Sequence, residues 1–279
     1  MTPRTALTIA GSDSGGGAGL QADLRTFAAH GVHGCCAVTA VTAQHTSAVL
    51  GVVAIEPSFV VAQIEAVRAD LAPAAVKTGM LATPATVAAV AELAAAGELA
   101  NLVVDPVLVS SSGHPLMGEG GVRSYRDLLL PHAAVATPNL REAAVLTGRA
   151  VGDLATIDAM VEAAEELRAL GATMVVVKGG HFERAGGRRA PGGAPDVLAG
   201  PAGIEVLEAE RVATANDHGT GCSLSAAIAA NLALGAEPVG AVRAAKAFVH
   251  RALTGAAGWR LGAGHGPIDH LGWSEGPPG

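Results

Sequence analysis

Aromatic side chains are scarce: the 279 residues include 2 Trp, 1 Tyr and 4 Phe. A core built from this chain must be packed mostly from Val, Leu, Ile and Ala. Cysteine is equally rare. Cys35, Cys36 and Cys222 form an odd, sparse set without C-x-x-C spacing. That excludes a disulfide framework and a zinc finger, and it fits a reduced, cytoplasmic compartment. Charged residues make up only 15%, with a net charge of −7. No basic run exceeds Arg188-Arg189, so the cationic stripe of a nucleic-acid binder is missing. Long apolar spans are missing too. No Asp, Glu, Lys or Arg occurs from Thr26 to Ile55, but His30, His33, Gln44, His45 and several Gly and Thr interrupt the stretch. A membrane-spanning helix needs about 20 predominantly apolar residues, so the stretch reads as buried strand and loop. The N-terminal apolar run, Ala6 to Ala10, is too short for the core of a signal peptide.

Half of the residues are apolar and 37 are glycine. That hydrophobicity excludes disorder as the main state, and the glycines have no collagen-like period. The length suits one α/β domain over residues 1–279, with a frayed tail at about 274–279.

Strand and helix patterns alternate along the chain. Thr5 to Ala10 reads as a buried strand, followed by a glycine-rich turn, Gly11 to Gly19. A helix from Leu20 to His30 is closed by Gly31. Ala37 to Val41 and Val49 to Ile55 read as strands around a turn. Pro57 opens a helix to about Leu71, Val76 to Thr78 is a short strand, and Thr83-Pro84 starts a helix reaching Ala96-Gly97. Leu102 to Asp105 is a strand, Gly121 to Leu130 a helix, and Ala133 to Thr137 a strand. Ile157, Met160, Val161, Ala164 and Leu167 have the 3.6-residue spacing of an amphipathic helix capped by Thr156. Thr173 to Val177 and Val206 to Thr214 read as strands. Glu183 to Pro195 reads as a loop. Helices follow over Gly219 to Leu234 and Glu237 to Leu253. This alternation predicts βαβ crossovers, a mostly parallel sheet, and ligands at the carboxyl ends of its strands.

Familiar nucleotide motifs fail at those ends. Gly17-x-Gly19-x-x-Ala22 has dinucleotide-fingerprint spacing, but the uncharged stretch holds no ribose-binding acid about 20 residues on, which ranks an NAD oxidoreductase last. Gly11 to Gly16 has P-loop spacing, but Gly17 stands where the phosphate-binding Lys belongs. Lys77-Thr78-Gly79 echoes a β-lactamase element without its partners.

Four features survive. Asn216-Asp-His-Gly219-Thr220-Gly221-Cys222-Ser precedes a strong helix pattern. Small residues and free amides at a helix start make an oxyanion cradle. Cys222 on its first turn is placed for a lowered thiol pKa and a role as base or nucleophile, or else is a small buried residue. Lys178, after a Val-rich strand, faces the expected crevice or is an exposed Lys at an element end. Asp105 and Glu142 at strand ends suit Mg²⁺, which needs few protein carboxylates, although Asn139 and Glu142 also have nearly capping-box form. Asp23 and Gln44 are the fourth feature. Gln44 offers a donor and an acceptor to the edge of a heteroaromatic ring, or is a satisfied buried amide.

Together the motifs Leu7-Thr-Ile-Ala-Gly11-Ser-Asp-Ser-Gly-Gly-Gly-Ala-Gly19-Leu-Gln-Ala-Asp23, Val41-Thr-Ala-Gln44, Lys77-Thr-Gly-Met80, Asp105-Pro-Val107, Thr137-Pro-Asn139-Leu-Arg-Glu142, Lys178-Gly-Gly-His181 and His218-Gly-Thr-Gly-Cys222 resemble the hydroxymethylpyrimidine/phosphomethylpyrimidine kinases of thiamine synthesis. The resemblance runs from about Leu7 to Ala257. It implies a ribokinase-like α/β fold: a central, mostly parallel sheet flanked by helices on both faces, with a small extra β element. It implies transfer of the ATP γ-phosphate to 4-amino-5-hydroxymethyl-2-methylpyrimidine and then to its monophosphate. By the same resemblance, Gly11, Asp23, Gln44, Met80 and Val107 hold the pyrimidine. Asn139, Lys178 and Glu142 serve ATP, and Asp105 and Glu142 serve Mg²⁺. Gly219, Thr220 and Gly221 form the anion hole, with Cys222 as base.

Three residues depart from the family pattern: Ser111, Ala215 and Asp217. At an effective dielectric near 20, a carboxylate about 8 Å from a like charge costs on the order of 2 kcal/mol before screening, so Asp217 is expected either to disfavour triphosphate or to point outward or bind a cation instead. Two other readings stay open, a pyridoxal or pyridoxine kinase of the same fold and a non-catalytic pyrimidine sensor. The apolar strands of Ala37 to Ile55 suggest a homodimer surface.

Overall fold

The computed structural model describes residues 2–108, 117, 120–180 and 193–276. One sheet of nine strands runs in the order β3-β2-β1-β4-β5-β6-β7-β8-β9. These are β1 (Thr5–Ser12), β2 (His33–His45), β3 (Ala48–Ala54), β4 (Ala75–Thr78), β5 (Val103–Val104), β6 (Val135–Ala136), β7 (Val175–Lys178), β8 (Asp196–Gly200) and β9 (Gly203–Leu207). The strands β2-β1-β4-β5-β6-β7 are parallel, while β3 and the β8-β9 hairpin pair antiparallel.

Helices cover both faces, as expected for parallel strands joined by helical crossovers. On one face Val60 and Ile64 of α2 (Pro57–Leu71), Val87 and Val90 of α3 (Pro84–Ala95), Ala143 of α5 (Leu140–Thr147), and Met160 and Ala163 of α6 (Ile157–Ala169) join Leu7, Ile9, Val76 and Val104. A short α4 (Gly121–Ser124) runs into a wider π turn, Tyr125–Leu129, whose Tyr125 and Leu129 are also buried there. On the other face Phe27 of α1 (Gly19–Ala29), most of α7 (Thr220–Ala233), and Ala241, Ala245 and Phe248 of α8 (Pro238–Ala256) pack on Ala6, Ala75, Val103, Val135 and Val176. Ala226, Ala227, Ala229 and Ala230 are all fully buried. Their small side chains let α7 approach sheet and helix closely, which is how the core closes with so few rings.

Several sequence expectations change. Val206 to Thr214 is not a strand: pairing ends at Leu207, and the chain beyond it carries no regular structure. Its apolar residues are too few to bury a longer strand. The helix α5 was not expected, although Leu140, Ala143 and Ala144 have helical spacing and are buried. Local chemistry fixes its start: Asn139 Oδ1 accepts from the Glu142 amide at 2.9 Å and Glu142 Oε2 from the Asn139 amide at 2.7 Å. Such a capping box is worth about 1 kcal/mol per cap. The uncharged stretch holds the end of α1 and then β2 and β3, and β3 is not buried: Leu50 is 72% and Val53 69% exposed. The chain end is held as far as Ser274, whose amide and hydroxyl both donate to Asp269 Oδ2. Most of the expected Glu183–Pro195 loop, and Ser111, lie outside the described residues. Among those described, no helix is long and apolar enough to cross a membrane.

Candidate active site

Side chains two residues apart on a strand share a face. On the α7 side of the sheet that rule gives the site its form. Ala6, Ala75, Val103, Val135 and Val176 belong to the α7-facing core. Two residues further on come Thr8, Lys77, Asp105, Thr137 and Lys178. On β1, β4, β5, β6 and β7 the position two residues after that core residue is thus polar. These groups bond to one another: Thr8 Oγ1 donates to Asp23 Oδ2 at 2.6 Å and Lys77 Nζ to the same oxygen at 2.7 Å. Lys178 Nζ donates to Asp105 Oδ1 at 2.7 Å and Thr137 Oγ1 to the same atom at 3.2 Å. Ser225 of α7 donates to Asp105 Oδ2 at 3.3 Å.

The start of α7 faces this row. Gly219 has φ +86°, and a Cβ there would lie 1.9 Å from the Gly17 carbonyl oxygen. Only glycine fits both conditions. The Gly219–Cys222 turn is therefore pressed against the Gly11–Gly19 loop. Asp13 joins them: its carboxylate accepts from the amides of Gly15, Gly17 and Ala18 at 2.8, 3.0 and 2.9 Å, and from His218 Nε2 at 3.1 Å. Burial alone would raise the Asp13 carboxyl, but the bonds from His218, Ala18 and Gly15 outweigh it and hold it below its ordinary value. From behind, Ser223 Oγ and His270 Nε2 lie 2.8 Å apart, and Asn216 Nδ2 donates to the Ala256 and Trp259 carbonyls.

Among the residues expected to hold substrate, Gly11 and Met80 are adjacent: a Cβ at Gly11 would lie 2.4 Å from Met80 Cε. Thr39 Oγ1 donates to the Met80 carbonyl at 2.6 Å, tying β2 to that loop. Gln44 is half-buried near the end of β2, its amide nitrogen 3.3 Å from His218 Nε2. Val107 is half-buried just beyond Asp105. Asp23 departs from expectation. It is fully buried, one oxygen is taken by Lys77 and Thr8, and the other has no partner. A carboxylate sealed beneath the site offers no edge to a ring, so direct contact with substrate is corrected to a place under the floor.

Lys178, Asp105 and Glu142 do come together. Burial alone would lower the Lys178 ammonium, but Asp105 and Glu142 outweigh it and hold it above its ordinary value. Burial pushes Glu142 up to about 7, with Lys178 pulling it back and Asp105 pushing further. Lys178 also reaches the cradle, since a Cβ at Gly221 would lie 3.2 Å from its Nζ. Thr220 begins α7 and is half-buried, as is Cys222. The Cys222 thiol is raised to about 11, not lowered. Burial is the main cause. Lys77 pulls the value down, Asp23 and Asp105 push it up, and the Gly19 amide helps the thiolate only a little. The helix start is too weak a field to overcome desolvation. The Asp217 carboxylate is engaged elsewhere, 2.7 Å from His265 Nδ1, and Ala215 is exposed.

The sequence reading gave no role to Asp13, Lys77 or Ser225. The signal for Lys77 was available, as a cation two residues after a core alanine on a buried strand.

A family model described as phosphomethylpyrimidine kinase matches residues 13–269. The chain belongs to that family. A hydroxymethylpyrimidine/phosphomethylpyrimidine kinase of Rhizobium meliloti is 48% identical over 268 residues, covering 95% of this chain and 96% of the relative. The crystal structure of a Clostridium difficile phosphomethylpyrimidine kinase superposes with a TM-score of 0.76 at 37% identity, covering 90% of this chain and 99% of the other. A Staphylococcus aureus pyridoxal kinase in complex with AMP-PCP and pyridoxal superposes with a TM-score of 0.85 at 33% identity, covering 98% and 95%. The fold is the ribokinase-like one that the resemblance implied, and the chain is a phosphotransferase that uses ATP. The non-catalytic sensor reading falls with that finding.

Proposed function

We propose that this chain phosphorylates 4-amino-5-hydroxymethyl-2-methylpyrimidine at its hydroxyl and then adds a second phosphoryl group to the monophosphate, in thiamine biosynthesis. The observation that carries the reading is near-full-length identity of 48% to a relative named for both substrates. The site geometry supports it. Gly11, Met80, Gln44 and Val107 would hold the ring beside the Gly219–Gly221 amides, and Lys178 with Asn139 would meet the nucleotide phosphates.

Two carboxylates, Asp105 and Glu142, lie close enough to raise the proton affinity of Glu142, which is the chemistry of a site for a hard divalent cation. Among the described residues no group of three or more His, Cys, Asp and Glu could hold a metal by itself. Mg²⁺ is usually held by one or two carboxylates plus phosphates and water. When bound there, Mg²⁺ would supply charge neutralisation of the transferring phosphoryl group.

Cys222, as thiolate, would take the proton of the hydroxymethyl group. The substrate oxygen forms its bond to the γ-phosphorus, the bridge to the β-phosphate breaks, and ADP leaves. The Gly219–Gly221 amides and Lys178 spread the charge on the transferring group.

Product masses after incubation with ATP, Mg²⁺ and the pyrimidine alcohol should show addition of one and then two phosphoryl groups. Pyridoxal in the same tube is the competitor. A faster reaction of pyridoxal, or no nucleotide-dependent product, would overturn the assignment.

We place the enzyme in the cytoplasm, where Cys35, Cys36 and Cys222 stay reduced. We also read it as a homodimer, supported by the apolar edge of Val41, Leu50, Val52, Val53 and Phe59, all 45% or more exposed. Leu50→Glu should convert a dimeric sedimentation profile to a monomeric one. A wild-type chain that sediments as a monomer at micromolar concentration would exclude this reading.

A further inference from the structure

Lys77 and Asp23 form an ion pair at 2.7 Å with no exposure of either side chain. Burying such a pair is costly, and replacing it with apolar residues is often neutral or stabilising. Its position offers a reason for it. Lys77 lies on the α7 side of β4, two residues after Ala75, which packs in the α7 core. Asp23 reaches the same place from α1. The second oxygen of Asp23 is buried without a partner. The ammonium is also next to the substrate loop, since a Cβ at Gly79 would lie 2.7 Å from Nζ. The helix α7, with Cys222 on its first turn, packs on both β4 and α1. Cys222 there senses Lys77 from β4, Asp23 and the Gly19 amide from α1, and Asp105 from the end of β5, while Lys178 of β7 senses the sulfur in turn.

We propose that Lys77 is a positioning residue for the phosphoryl transfer: its sealed ammonium, anchored on Asp23, sets the charge state of the Cys222 sulfur. The role of Asp23 follows. It holds the cation in place and offsets part of its field, and it touches no substrate. The inference rests on the reading of Cys222 as the base, but it is tested without turnover.

The measurement is the rate of Cys222 alkylation by iodoacetamide between pH 7 and 10, followed by peptide mass so that Cys35 and Cys36 are scored separately. Thiolate reacts and thiol does not. Asp23→Asn should speed labelling at pH 8 by about tenfold, and Lys77→Met should slow it by about tenfold, the equivalent of one pKa unit. The double variant removes both charges at once, which spares it a lone buried ion. It should label more slowly than wild type, while Lys77→Arg stays close to wild type. A purely structural pair would move both single variants the same way. Should Lys77→Met not fold, the order Asp23→Asn, wild type, double variant decides, and any other order overturns the proposal. Loss of the base reading itself would appear separately, as an undamaged first phosphorylation in Cys222→Ala.

Discussion

Replacing Cys222 by alanine is expected to slow the first phosphorylation about a hundredfold and to leave the second nearly unchanged. The difference comes from the acceptors. An alcohol must lose a proton as its oxygen attacks phosphorus. A phosphate monoester, with a second pKa near 6, is already ionised at pH 7. A positioned base typically contributes about 10²–10⁴. The lower end applies here because burial pushes the thiol up to about 11, so thiolate is a minority form at neutral pH. The sign of the pH dependence follows. The first step should quicken as pH rises from 7 towards 10, while the second step does not. The variant should lose that slope. Rates of each step, measured separately by product mass over that range, provide the check. Equal losses in both steps would leave Cys222 a packing residue only.

The alternation of strands and helices was legible because each carries its own apolar period, and the Pro57–Leu71 helix came out with its observed ends. What escaped depended on pairing in space. The segment Val206 to Thr214 has β-rich composition, but only the partner β8 decides where pairing stops. Leu50 and Val53 read as core because apolarity cannot reveal that a strand lies at an open edge. The crevice was findable from strand ends, and Lys178, Asp105 and the Gly219–Cys222 turn meet there. The state of each group was not findable. A thiol at a helix start is expected to be acidic, yet Cys222 is dominated by desolvation and by carboxylates from α1 and β5. Asp23 took its ligand-holding role from the family resemblance, and nothing in one strand or helix shows that Lys77, 54 residues away, bonds to it.

Lys178→Met should abolish measurable turnover and destabilise the fold, and the two losses can be separated. Lys178 is the ammonium bonded to Asp105, whose side chain is 2% exposed, and Glu142 adds a second carboxyl nearby. Removing one partner of a buried pair strands the other charge, at a cost of about 3–5 kcal/mol. Adding Asp105→Asn removes that stranded charge. Asparagine can still accept from Thr137 and Ser225, which bond Asp105 at 3.2 and 3.3 Å. The double variant should therefore regain most of the unfolding free energy seen in urea titrations. Its activity should stay at the floor, because the cation proposed to meet the phosphates is absent in both variants. Because Asp105→Asn also removes a proposed Mg²⁺ carboxylate, that single variant is the control: turnover that it retains and the double variant lacks assigns Lys178 two separable duties, one electrostatic within the fold and one toward the nucleotide. If activity returned together with stability, the ammonium would be a structural counter-ion for Asp105 and the transferring group would be stabilised by the α7 amides alone.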